Sequence, residues 1–178
     1  MTLKTQRLIL RPWREDDAQA LFEYASDPLV GPAAGWAAHK SVEESRSIIS
    51  EVLSAEGTFA VCIAENGDAP VGSIGWFSRS RTGGEPELGY WIGRPFWGRG
   101  YIPEAVDCLL THLFTKTDCE RVWCSHFIEN EKSRRVIQKS GFRPEFLREC
   151  EWPAIGGRLL EQFYSLRKSE FFAKRGRT

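Results

Sequence analysis

The chain has 178 residues, 42% hydrophobic and 27% charged, the size and mixture of one globular domain, 1–178, with a real core. Lysine plus arginine and aspartate plus glutamate balance at 24 each, so no net field recommends nucleic acid or an anionic membrane as partner. No apolar run approaches the roughly 20 residues that span a bilayer, and Met1–Arg7 lacks the apolar core of a signal peptide.

Residues 5–12 read as a strand that Pro12 ends. Glu15, Asp16 and Asp17 suit a helix N-terminus, with Ala18, Leu21, Phe22 and Ala25 following at helical spacing. Asp27-Pro28 stops that helix, and residues 31–40 read as a loop. Ser41 with Glu44 makes a capping-box pattern for a second helix, whose inward stripe is Val42, Ser45, Ile49, Val52 and Leu53. The period then changes. Residues 58–65 and 70–79 read as strands around the turn Asn66-Gly67-Asp68, and 87–92 as a third strand after Thr82-Gly83-Gly84, an antiparallel meander.

A glycine-rich turn leads into a helix with Ile102, Ala105, Val106, Leu109, Leu110 and Leu113 on one face, and Pro103 in its first turn. Residues 121–128 read as a strand and 130–140 as a helix that Gly141 stops. Two strands near 142–151 and 158–167 finish the fold, and the tail 174–178 reads as a frayed, solvated end. The order β-α-α-β-β-β-α-β-α-β-β makes the step from 87–92 to 121–128 a right-handed parallel crossover. The result is a mixed α/β sheet with helices on both faces. The strand 158–167 is a candidate to pair across a homodimer, though one sequence does not require it.

Five cysteines (Cys62, Cys108, Cys119, Cys124, Cys150) with no C-x-x-C pair favour reduced thiols in a cytoplasmic protein. Three histidines (His39, His112, His126), far apart in sequence, make a metal centre an unfavoured reading. Seven tryptophans read mainly as core filling, with Trp36, Trp76 and Trp91 best placed to line a cleft.

The feature that carries chemistry is a strand, then Gly98-Arg99-Gly100, then a helix. The helix's first N–H groups lack intrahelical partners and carry the positive end of its dipole, so a phosphate or pyrophosphate is the natural occupant. A dinucleotide fingerprint needs a third glycine where Pro103 stands, and its acidic residue at the end of the next strand; Glu120 lies before that strand. The G-K-[ST] of a P-loop is absent. A structural tight turn remains the alternative for the glycine pair alone.

The chain resembles the GNAT acetyltransferase superfamily, in particular its ribosomal-protein N-terminal acetyltransferase branch, the RimJ/RimL type. The resemblance rests on Thr5-Gln6-Arg7-Leu8-Ile9-Leu10-Arg11-Pro12, Glu87-Leu88-Gly89-Tyr90-Trp91-Ile92, Phe96-Trp97-Gly98-Arg99-Gly100-Tyr101, Glu104-Ala105, Asn130-Glu131-Lys132-Ser133, Gly141-Phe142 and Tyr164-Ser165-Leu166-Arg167-Lys168-Ser169-Glu170. Their joint order and spacing carry it. The superfamily's turn reads R/Q-x-x-G-x-G/A; aligned on Gly100 it begins at Trp97 and ends at Ile102, where a small residue is usual.

The resemblance implies a mostly antiparallel sheet of about seven strands, splayed in the middle. It also implies acetyl-CoA as co-substrate, with the acetyl group passing directly to an amine. The pantetheine arm would lie along Tyr90, Trp91 and Ile92, with the N–H of Trp91 or Ile92 facing the thioester carbonyl. The pyrophosphate would sit on Trp97, Gly98, Arg99, Gly100, Tyr101 and Ile102, Ile102 turning its side chain away. Asn130, Ser133 and Ile137 share a helix face. By resemblance Asn130 would bond the pantetheine and Ser133 would protonate the departing thiolate; read alone, they are an N-cap and a first-turn hydroxyl. Glu87 is the first candidate for general base and His126 the second. A partner for nearby arginines or an amine anchor is the plainer role for Glu87, and a satisfied core histidine for His126. The acceptor implied is a protein N-terminal amine. An aminoglycoside, a polyamine, an amino-acid-like metabolite, or a non-catalytic acyl-CoA-binding module are the alternatives.

Overall fold

The computed structural model describes residues 1–78 and 82–176. Arg79, the last residue of the expected returning strand, and Arg177 and Thr178 of the expected tail lie outside them. Eight strands form one sheet: β1 (Leu3–Lys4), β2 (Leu8–Arg11), β3 (Thr58–Ile63), β4 (Pro70–Ser78), β5 (Pro86–Ile92), β6 (Arg121–Phe127), β7 (Arg143–Trp152) and β8 (Gly157–Arg167). Their spatial order is β1-β2-β3-β4-β5-β6-β8-β7. All neighbours are antiparallel except β5 and β6, which pair parallel as a crossover through a helix requires.

The helices are α1 (Ala18–Ala25), α2 (Gly31–Ala34), α3 (Val42–Ile48), α4 (Tyr101–Lys116), α5 (Glu131–Lys139) and α6 (Lys168–Arg175). Alternation along β3 shows how they share the sheet. Phe59, Val61 and Ile63 join the core beneath α4, α5 and α6, whereas Ala60 and Cys62 face Leu21 and Ala25 from α1 and Ile49 just past α3. The six expected core residues of α4 are all buried.

Several elements differ from the sequence reading, each for a local reason. The first strand is two short ones, because the Thr5 hydroxyl accepts the Leu8 N–H at 2.8 Å and turns the chain at Thr5–Arg7. This makes eight strands where about seven were expected. The segment read as a loop holds the one-turn α2, which ends on Gly35 at φ 93°. The helix begun at Ser41 widens to a π turn over Ile49–Leu53, leaving Val52 exposed although the regular spacing put it inward. Two residues of the tail expected to fray, Lys174 and Arg175, instead close α6, a helix anchored by buried Phe171. Finally, β8 lies between β6 and β7, so from Glu161 to Ser165 both of its edges are already paired and closed to a second copy of the chain.

Candidate active site

The site begins where β5 and β6 part. Their parallel register covers only Glu87 with Trp123 and Leu88 with Cys124, while β5 stays paired with β4 through Ile92 and β6 with β8 through Phe127. Beyond Leu88 the edge of β5 therefore faces a wedge, a row of main-chain donors and acceptors without a strand partner on that side. The wedge is part of a cleft of about 1290 Å³. Glu87, Tyr90, Trp91, Ile92, Trp97, Gly98, Gly100, Tyr101, Ile102, His126, Asn130 and Ser133 all line it. Arg99 does not line it. Its carbonyl accepts from Arg7 at 3.1 Å, and its guanidinium lies over Phe96.

The turn after β5 is held from three sides. The Trp97 indole N–H donates to the Ile92 carbonyl at 2.9 Å, folding the ring back over the end of the strand. Lys132 sits 3.7 Å from that ring's centre. Glu104 accepts from Thr5 and from the Arg7 backbone and side chain, tying the turn before β2 to the first turn of α4. Gly100 takes the left-handed conformation at φ 79° as N-cap of α4. Ile102 is buried in the core, so the residue that departs from the family pattern turns its side chain inward and leaves its backbone at the cleft.

Alternation divides the functional side chains between the faces. On the α4–α5 side, the Tyr90 hydroxyl lies 2.9 Å from Ser133 Oγ. Burial, then the neighbouring Cys124, pushes the Tyr90 phenol well above its ordinary range, so it stays protonated. Asn130 caps α5 by accepting the Ser133 N–H at 3.1 Å, and its amide donates to the Ala33 carbonyl at 3.0 Å. The buried His126 shares this face, with Nδ1 at 2.7 Å from the Phe127 carbonyl and Nε2 at 3.2 Å from the Tyr164 hydroxyl, the pattern of a satisfied core histidine.

The opposite face carries a group that the sequence did not disclose. Ser125 Oγ lies 3.0 Å from both Glu87 and Glu161, and the Trp152 indole donates to Glu161. Both carboxylates are 1% exposed. One hydroxyl has one proton, so Ser125 serves the two acids alternately. Glu161 comes from β8, where its only signal is a lone acid in a strand of mixed polarity. Lys132, Arg135 and Lys139 also line the cleft; their i, i+3, i+7 spacing on α5 was the overlooked mark of a shared basic face. Of the three tryptophans proposed for the cleft, Trp91 lines it. Trp36 packs edge-on against Trp91, and Trp76 packs on Phe59 and His112.

The cysteines do not look like nucleophiles. Burial pushes the Cys62 thiol up to about 11 and that of Cys124 well beyond the ordinary range. Among the described residues no group of histidine, cysteine and carboxylate side chains could hold a metal ion.

A splayed sheet whose β5 edge runs into a glycine turn and a helix N-terminus fits an extended thiol cofactor with a pyrophosphate, and comparison with known proteins agrees. The acetyltransferase (GNAT) domain family matches residues 7–143. The chain belongs to the GNAT acetyltransferase family. A relative from Bacillus licheniformis, named N-acetyltransferase p20 and otherwise uncharacterised, is 33% identical over 177 residues, spanning 96% of this chain and 98% of its own. A GNAT acetyltransferase structure from Bacillus anthracis superposes with a TM-score of 0.83 at 25% identity, covering 96% of this chain and all of the other. A structure from Vibrio cholerae, provisionally named a ribosomal-protein-serine acetyltransferase, matches with a TM-score of 0.78 at 25% identity, covering 94% and 97%. GNAT enzymes are acyltransferases that use acetyl-CoA, and the residues at the wedge fit it: a free strand edge, unpaired helix N–H groups and a basic face on α5.

Proposed function

We propose that this GNAT enzyme moves an acetyl group from acetyl-CoA directly to a primary amine, and that the amine is a protein N-terminus. The observation that carries the reading is the wedge beyond Leu88, which runs from the Glu87–Ser125–Glu161 group to the Gly98–Tyr101 turn. Acetyl-CoA, when bound, supplies an activated acetyl thioester. The edge of β5 from Gly89 to Ile92 would receive the pantetheine, and the N–H groups at Gly98–Ile102 the pyrophosphate, with Lys132, Arg135 and Lys139 adding positive charge.

Glu87 would take the ammonium proton, directly or through one water, because it is the acid that opens β5 beside the parting strands. His126 lies on the other face with both ring nitrogens engaged, so it would orient the strand. Ser133, hydrogen-bonded to a protonated Tyr90, would return a proton to the thiolate. A protein N-terminus is favoured over a polycation by the exposed apolar side chains of Leu29, Ile128 and Leu160 along the cleft, which suit a peptide better than a sugar or polyamine. The name of the Vibrio cholerae structure points the same way. Thiol release from acetyl-CoA, followed with peptides, polyamines and aminoglycosides, tests this. Turnover with peptides is expected. Turnover only with a small polycation would overturn the acceptor assignment.

A further inference from the structure

The acceptor end of the cleft is closed by an aromatic wall that depends on one glycine. Trp152, the last residue of β7, meets the Phe127 ring edge-on at 5.2 Å between centroids. Its indole N–H holds Glu161, which is joined through Ser125 to Glu87. Its ring lies against Gly35, the left-handed residue that ends α2. A Cβ built at Gly35 would collide with Cζ3, Cε3 and Cη2 of the indole. Only a glycine accepts both that φ and that contact.

Two residues before Gly35, α2 is also fastened, through the Asn130 amide to the Ala33 carbonyl. The four-residue helix thus spans from α5 to the β7–β8 hairpin, with Pro32, Ala33 and Ala34 facing the same cleft as Glu87. Glu87, α2 and the Trp152 ring therefore line one and the same cleft.

We propose that Trp152, seated on Gly35, is the specificity-determining wall of the acceptor pocket, admitting amines with small substituents on the carbon bearing nitrogen and opposing larger ones there. This rests on the assignment of Glu87 to the reacting end of the cleft. Applied to a protein acceptor, it selects N-terminal residues with small side chains. The wall is a rigid ring with contacts on its face and edge, and hydrophobic pockets discriminate about 10–200-fold per methylene by such contact.

The test measures kcat/KM for peptides beginning with glycine, alanine, valine and leucine, and for alkylamines with and without branching next to nitrogen. The wild type should prefer the smallest member of each series by about tenfold or more. Trp152→Ala should cut that preference to about twofold or less, and Gly35→Ala, which lifts the ring off its seat, should lower the same ratio. Trp152→Phe keeps a ring and should keep most of the preference. Trp152→Leu replaces the alanine variant if that one does not fold, as judged by circular dichroism. An indifferent wild type, or a preference unchanged in Trp152→Ala or Trp152→Leu, overturns the wall. If alkylamines react and no peptide does, the protein-acceptor reading falls, and the alkylamine series alone judges the wall. No turnover on any amine overturns both.

Discussion

At the scale of single residues, the chemistry turns on where two carboxylates sit. Glu87→Gln keeps the shape and the hydrogen bond from Ser125 but removes the base, so kcat should fall by about 10²–10⁴ with the fold intact. A steady-state pH profile that keeps its wild-type kcat would remove Glu87 from that role. A buried ion pair elsewhere is structural. Asp17 receives two hydrogen bonds from the Arg11 guanidinium and one from the Arg14 N–H, and this pairing raises the Arg11 pKa further. Asp17→Ala leaves a buried guanidinium short of its partner and should cost about 3–5 kcal/mol in a urea titration. The sequence showed Asp17 only as an acid suited to a helix start. Its true partner is six residues back across a turn, a relation that no helical spacing encodes. Glu161 was hidden similarly, because a lone acid in a strand says nothing about which strand it will face.

At the scale of elements, the turn that opens α4 is held by its neighbours as much as by its glycines. Burial works to raise the Glu104 carboxyl, but hydrogen bonds from Thr5, the Arg7 N–H and the Arg7 side chain outweigh it, so the group sits below the ordinary range. Its contribution is therefore complete above the unfolded value of about 4.3 and is lost as pH falls through the lower folded value. Glu104→Gln should cost about 1–2 kcal/mol at pH 7, and the gap from wild type should narrow as the pH falls through that range, read from urea midpoints. Gly100→Ala makes only an ordinary contact with the Arg7 guanidinium, at 3.5 Å, but must adopt φ 79°, which costs about 1–2 kcal/mol and should weaken acetyl-CoA binding. The strand, turn and long helix were legible because the hydrophobic period changes from two to 3.6 at the glycine pair. Helix α2 was not, since four residues cannot display a period. The π turn after α3 was equally invisible, because it breaks the spacing that a regular helix keeps.

At the scale of the whole molecule, the order of elements prescribed the parallel crossover from β5 to β6, and connection rules supply its right hand. The splay itself came from resemblance. It arises because β5 continues along β4 and β6 along β8, two partners that carry the strands apart after two paired positions. Everything assigned to acetyl-CoA depends on that gap. The most direct measurement is the thermal unfolding midpoint of the intact protein with and without millimolar acetyl-CoA. A ligand at about 100 times its Kd contributes about 2.7 kcal/mol, which in a chain of this size raises the midpoint by about 5–10 °C. A rise of that order is expected, diminished in Gly100→Ala. A midpoint that millimolar acetyl-CoA leaves unchanged would contradict binding of the cofactor in that gap.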